Sequence, residues 1–206
     1  MENSEKKGFG YWFKNVFLYH YGKLSILVIF LLATAVWFTV DALKKVEYDI
    51  NVAIVAEKGI ARSDTQALAE LLASAAGDVN GDGKALVNVV TVDLSSGEKR
   101  EESRYQELLY LSLPEYTIFL MNGDESARYA AKDETFQLLA DYGIETADET
   151  GRRVWVGDRA AVRSLCGEDC YASLADWTVD GKGSRAMTEA SVRALKALLA
   201  SPAAEG

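Results

Sequence analysis

Hydrophobic positions change character along this chain. From Leu24 to Val40 the run LSILVIFLLATAVWFTV carries no charge and is apolar on every face, unlike a surface helix with one buried stripe. At 1.5 Å per residue it spans about 26 Å, and Gly22 with Ala42 and Leu43 extend it to the roughly 30 Å of a bilayer core. The pattern predicts one transmembrane helix over 24–43. The rival readings are a buried core helix and a signal peptide cut after Ala33-Thr34-Ala35. Val36, Trp37, Phe38 and Val40 prolong the apolar run past that point and favour an uncleaved anchor.

Beyond residue 46 shorter apolar runs take turns with helical spacings. YDINVAIVA (Tyr48 to Ala56) predicts a central strand, apolar on both faces. A helix follows from Ser63, where Ser63 and Gln66 have capping-box spacing, Leu68, Leu71, Leu72 and Ala75 share a face, and Gly77 ends it. A second strand is expected over Leu86 to Val92, then a helix through Tyr105, Leu108, Leu109 and Leu111 that stops near Pro114, then a third strand from Tyr116 to Met121. Helices are expected around Ser126–Ala131 and from Asp133 to Tyr142, with Gly143 as a C-cap. A hairpin from Ile144 to Gly157 turns near Glu149-Thr150-Gly151, and a last helix is capped at Thr188 with Val192, Leu195, Leu198 and Leu199 on its buried side. Alternating strands and helices predict an α/β domain with a mainly parallel sheet. The expected division is an aromatic-rich interfacial arm over 1–23, a transmembrane helix over 24–43, one extracytoplasmic α/β domain over 46–201 and a disordered tail over 202–206.

Charge orients this plan. Lys6, Lys7, Lys14 and Lys23 against Glu2 and Glu5 give the arm a net +2, leaving −11 for the rest of a chain whose total is −9. Basic residues beside a membrane helix stay in the cytoplasm, so the acidic bulk is expected outside, although Lys44 and Lys45 on the far flank oppose this. Phe9, Tyr11, Trp12, Phe13, Phe17, Tyr19 and Tyr21 suit the headgroup level of a bilayer. The expected partners are the lipid bilayer and a cell-surface or membrane protein. An acidic chain is a poor match for nucleic acid, which needs concentrated Lys and Arg.

Candidate chemistry is sparse. Asp78-Val79-Asn80-Gly81-Asp82-Gly83-Lys84 has the spacing of the first half of a calcium loop: oxygens from Asp78, Asn80 and Asp82, the Lys84 carbonyl, and Gly83 at the sharp turn. The carboxylate expected five residues further on is replaced by Val89, so a distant side chain such as Asp93 would have to stand in. Binding would be weak, and the alternative is a plain Asn-Gly and Asp-Gly turn. No cofactor is required on this reading, with weak Ca²⁺ as its one ion. Cys166 and Cys170 are the only cysteines and, outside the cytoplasm, are expected to form a local disulfide. The single His, His20, precedes the apolar helix, so no Ser-His-Asp or Cys-His set can be assembled in the domain. Neither a G-x-x-x-x-G-K-[ST] nor a G-x-G-x-x-G phosphate motif occurs. A carboxylate pair drawn from 31 Asp and Glu residues is the one enzymatic option.

The aromatic arm and single apolar helix, together with YDINVAIVAEKG, GDVNGDGKALVNVVTVD and LPEYTIFLMNGDESARYAAKDETFQLLADYG, resemble a group of single-pass membrane-anchored proteins of Gram-positive gut bacteria. The outer domain of that group is similar to one lobe of the extracellular solute-binding proteins. The resemblance implies a non-enzymatic binding or interaction domain, but about 160 residues are too few for two lobes that close on a ligand. A ligand is then expected at the C-terminal ends of the strands, near the loops after Ala56, Val92 and Met121, with Asn122 and Asp124 as contacts. The alternatives are a carboxylate-dependent hydrolase at the cell surface and a structural subunit of a membrane complex.

Overall fold

A computed structural model describes residues 9–13, 18–44, 46–57, 62–95, 100–132, 134–176 and 185–204. The chain forms two units, Met1–Val46 and Glu47–Gly206. In the first, a short helix α1 (Phe9–Trp12) precedes a continuous helix α2 (Leu18–Lys44). Within α2 the span Tyr21–Val40 is long and apolar enough to cross a membrane, and none of it is buried by protein. Two of its hydroxyls are satisfied within the helix: Thr34 donates to Phe30 O and Thr39 to Ala35 O, both at 2.8 Å. The helix starts six residues before the expected Leu24. The expected interfacial arm falls largely at 1–8 and 14–17, outside the described residues.

The second unit is a mixed α/β domain with one five-stranded sheet in the order β2-β1-β3-β5-β4. Strands β1 (Ile50–Ala56), β2 (Val87–Asp93) and β3 (Tyr116–Asn122) are mutually parallel, and β5 (Cys170–Leu174) runs antiparallel to both β3 and β4 (Val154–Trp155). Helices cover both faces. Val52 and Ile54 of β1 point to a core filled by Leu68 and Leu72 of α3 (Arg62–Ala76), Val162 and Leu165 of α6 (Ala160–Cys166), and Leu195 and Leu198 of α7 (Arg185–Ala200). Ala53 and Val55 point the other way, to a core of Phe119, Met121, Phe136 and Tyr129, with Tyr110 and Leu111 of α4 (Arg100–Ser112) packed on it. Burial on both sides is why β1 reads as an uninterrupted apolar run.

Where the chain departs from the sequence-based plan, a tertiary contact outweighs a local signal. The helix expected over Asp133–Tyr142 shrinks to a 3-10 turn at Leu139–Tyr142, because Phe136 is buried and bridges Ala175 while Gln137 N–H donates to Leu174 O. Gly143 does cap that turn, in the left-handed region at φ 67°. The expected hairpin exists only as its turn, closed by Gly151 N–H on Asp148 O; Val154 and Trp155 pair with β5 instead. Helix α7 begins at least three residues before the expected cap at Thr188. The tail expected to be disordered is held as far as Ala204: Ala160 N–H donates to Pro202 O, Ala204 N–H to Asp158 O, and Arg159 to Ser201 O. Glu205 and Gly206 lie outside the described residues.

Candidate functional site

The C-terminal ends of β1, β2, β3 and β4 and the start of β5 share one edge of the sheet. Two of the expected loops, over 58–61 and 96–99, fall outside the described residues. At the third, Asn122 is the N-cap of α5 (Gly123–Ala130): its Oδ1 accepts from Glu125 N–H at 3.2 Å. Its side chain is thus engaged in starting a helix, whereas Asp124 is exposed. The backbone between them is gripped from both sides. Gly123 N–H donates to Asp169 Oδ2 at 3.2 Å, and Gly123 O accepts from the Arg153 guanidinium at 2.8 Å. A side chain at 123 would overlap the Asp169 carboxylate, so glycine allows this approach.

Arg153 leads from this strand end into an open cleft of about 450 Å³ lined by Thr146, Asp148, Glu149, Arg153, Trp155 and Tyr171. Trp155 and Tyr171 are directly paired across β4 and β5, which puts both rings on one face of the sheet. The Arg153 guanidinium lies 4.4 Å from the Tyr171 ring centre and pairs with Asp148 at 2.7 Å. Hydrogen bonds from Thr150 and Arg153 hold the Asp148 carboxyl below its usual range, against the opposing effect of burial, so it stays an anion. Trp155 donates its indole N–H to Glu168 O at 2.9 Å, which fixes the ring while leaving it 48% exposed. Glu149 on the rim is exposed. The cleft therefore presents the fixed indole of Trp155 and the carboxylate of Glu149 to solvent, over an Arg153 guanidinium that is 17% exposed and an Asp148 carboxylate that Arg153 and Thr150 already occupy.

Cys166 and Cys170 flank the same edge, at the end of α6 and the start of β5. They adjoin as free thiols, Cys170 buried and Cys166 half-buried. Burial, then its hydrogen bond with Cys166, pushes the Cys170 thiol up and keeps it protonated.

The 78–84 loop lies at the opposite edge of the sheet and is organised by a residue that sequence reasoning passed over. Asp49 is 2% exposed and accepts from Val79 N–H at 2.6 Å, Asn80 N–H at 3.1 Å and Leu86 N–H at 2.7 Å. Within the loop, Asp78 accepts from Gly81 and Gly83, Asn80 from Asp82, and Asp82 from Lys84. Gly81 and Gly83 take positive φ of 80° and 83°. The oxygens proposed for calcium thus hold the loop's own backbone. Asp93 cannot complete such a site: it ends β2, about 20 Å along the strand from the loop, and there accepts from Ser95. Among the described residues, no three His, Cys, Asp or Glu side chains gather in one place.

A buried ion-pair network closes the same face as the Phe119 core. Arg104 of α4 reaches Glu125 of α5 with two bonds of 2.5 Å and Glu107 with one of 3.0 Å, while Arg128 reaches Glu125 at 2.8 Å and Glu107 at 3.5 Å. Glu107 is fully buried, and burial pushes its carboxyl up; Glu125 is held down by the Arg104 and Arg128 guanidinium groups against burial. The exposed side of α4 carries Tyr105, Leu108 and Leu109 instead. No protein family, curated protein or solved structure matches this chain.

Proposed function

We propose that the chain is a membrane-anchored binding module whose ligand sits in the cleft of Arg153, Trp155, Tyr171 and the 146–150 turn. The observation that carries this reading is the exposed, hydrogen-bonded indole of Trp155 beside the Arg153–Tyr171 stack, inside a rim of carboxylates. An aromatic side chain fixed at its polar end and bare on its face offers contact area at little entropic cost. The ligand it suits has an apolar face for the indole and polar groups for Glu149 and the exposed part of Arg153, which Asp148 holds in place. Asp124, exposed at the strand end, follows Gly123, whose carbonyl accepts from Arg153 of the cleft.

The test uses the full chain in nanodiscs against immobilised oligosaccharide and peptide panels. Specific capture is expected, and Trp155→Ala is expected to weaken it at least about tenfold without lowering the melting temperature, the loss of roughly 1.4 kcal/mol of contact. Turnover of a glycoside or peptide that disappears in Glu149→Gln would instead favour a surface hydrolase. Equal capture by the Trp155→Ala protein would remove the cleft from the binding role.

The same proposal places α2 in the bilayer with the domain outside, supported by the uncharged span Leu24–Val40 and the net +2 arm. External protease on spheroplasts is expected to digest the domain beyond Lys45 while a tag fused before Met1 stays protected. A domain protected until the membrane is breached would reverse the orientation.

A further inference from the structure

Strand β2 forms one edge of the sheet, and its hydrogen-bonding groups can be assigned. Leu86 O accepts from Asp49 N–H and Leu94 N–H donates to Ala56 O, so even-numbered positions turn toward β1. With a period of two, the N–H and C=O groups of Val87, Val89, Thr91 and Asp93 turn outward. Among the described residues no strand lies on that side.

The edge also lacks the devices that normally keep strands apart. Its sequence, VNVVTVD, has no Lys, Pro or Gly, and the one charge sits at its last position. Beside it α4 packs on β2 with Leu109 42% exposed and Tyr105 69% exposed. At 100° per residue, Leu109 lies on the flank of α4 opposite Arg104, the residue turned to α5, and therefore on the β2 side.

We propose that β2 pairs antiparallel with β2 of a second copy of this chain, joining two five-stranded sheets into one. Val90 faces Val90 of the partner copy, Val89 faces Thr91, Asn88 faces Val92, and Val87 faces Asp93. In this register the outward-turned residues Val87, Val89, Thr91 and Asp93 of each copy all find a partner and exchange both bonds; a shift by two residues strands some of them at both ends. The two Asp93 carboxylates lie at opposite ends of the ladder, each against a valine, so no like charges meet. The two-fold axis runs through the sheet plane at Val90 and sets the two α4 helices side by side on one face, where each Leu109 flank meets its copy. Self-complementarity of both the strand and the helix flank selects a second copy over an unrelated strand.

Cysteine cross-linking of the full chain in nanodiscs reads the register directly. Val90→Cys places two sulfur-bearing positions opposite each other in a pair with Cα atoms about 4.5 Å apart, so mild oxidation is expected to convert most of the protein to a disulfide-linked dimer. Val92→Cys alone should not cross-link, nor Asn88→Cys alone, but a mixture of the two should. Thr91→Pro removes an outward N–H while sparing the bonds to β1, and is expected to halve the mass with an unchanged melting temperature. Pairing of the α2 helices alone would leave a dimer insensitive to Thr91→Pro and without the Val90→Cys product, which overturns the proposal. Equal cross-linking at positions 90 and 92 overturns it as well. The cross-linking arm stands even if the proline variant fails to fold.

Discussion

Replacing Arg104 with alanine is expected to destabilise the domain by about 3–5 kcal/mol at neutral pH, the usual cost of removing one partner from a buried ion pair. The reason is what stays behind. Glu107 has no exposed surface, its Oε1 already lacks a hydrogen-bond partner among the described residues, and its remaining cation, Arg128, is 3.5 Å away. Glu125 would lose both of its 2.5 Å bonds. Arg104→Lys should fall between the two, since one ammonium cannot reproduce the two-pronged contact. Urea unfolding followed by tryptophan fluorescence measures each difference; a loss under about 1 kcal/mol for Arg104→Ala would show the network to be an exposed pair in energetic terms.

The pH dependence of that loss follows from the two glutamates. In the intact protein Glu125 is held below the usual 4.5, so its contribution is present above 4.5 and is lost as pH falls through its lowered value. Glu107 is raised above 4.5, so its contribution is present below 4.5 and fades as pH rises through its raised value. At neutral pH Glu107 is thus a cost that Arg104 offsets, and Glu125 a gain that Arg104 creates. Without Arg104 both carboxyls should protonate more readily in the folded state, and the deficit of Arg104→Ala is expected to shrink between pH 7 and pH 5. Glu107→Gln should be milder than Glu125→Gln at pH 7 for the same reason.

The sequence made legible whatever depends on neighbours along the chain. The apolar helix, β1, α3, β2 and β3 follow from runs and periods in which a residue's environment is set by positions one to four away. The parallel core of the sheet therefore comes through with boundaries shifted by a residue or two. What did not come through is non-local. Cys170–Leu174 is five residues long after Gly-Glu-Asp, and nothing in it says that it inserts antiparallel between β3 and β4. In α4 the apolar residues Tyr105, Leu108 and Leu109 suggest a buried face, yet that face is open and Glu107 is inside, because Arg104 and Arg128 neutralise it from two helices.

The candidate site shows the same division. Asn122 and Asp124 stand out in the sequence because a strand end is a local feature, and the structure gives Asn122 the capping role that its sequence context also allows. Arg153, Trp155 and Tyr171 were passed over because their meeting depends on the pairing of β4 with β5. The signal available was VWVG after a Gly-containing turn, read as half a hairpin. Asp49 was read as part of the first strand, when its two oxygens in fact serve three backbone N–H groups some thirty residues or more away.

Gly157→Ala is expected to be the most damaging single methyl addition, at about 3 kcal/mol or more, above the usual 1–3 for overpacking. A Cβ at 157 would overlap the Glu168 carbonyl oxygen and press on the Trp155 indole nitrogen 2.9 Å away. The obstacle is backbone, which cannot swing aside as the Asp169 carboxylate could at Gly123. Glu168 O is also the acceptor that fixes Trp155, and Val156 N–H beside it donates to Cys170 O. Relief of the clash must therefore separate β4 from β5 and free the indole. Two readouts should move together: the urea midpoint falls, and Trp155 emission, isolated by replacing the other tryptophans, shifts to the red with faster quenching by acrylamide. Gly123→Ala should lower stability by less, at about 1 kcal/mol, because its obstacle is the end of a side chain. A Gly157→Ala protein as stable as its parent would mean that β4 is not pressed against the Glu168 turn, and with it the cleft would lose the contact that holds its aromatic wall.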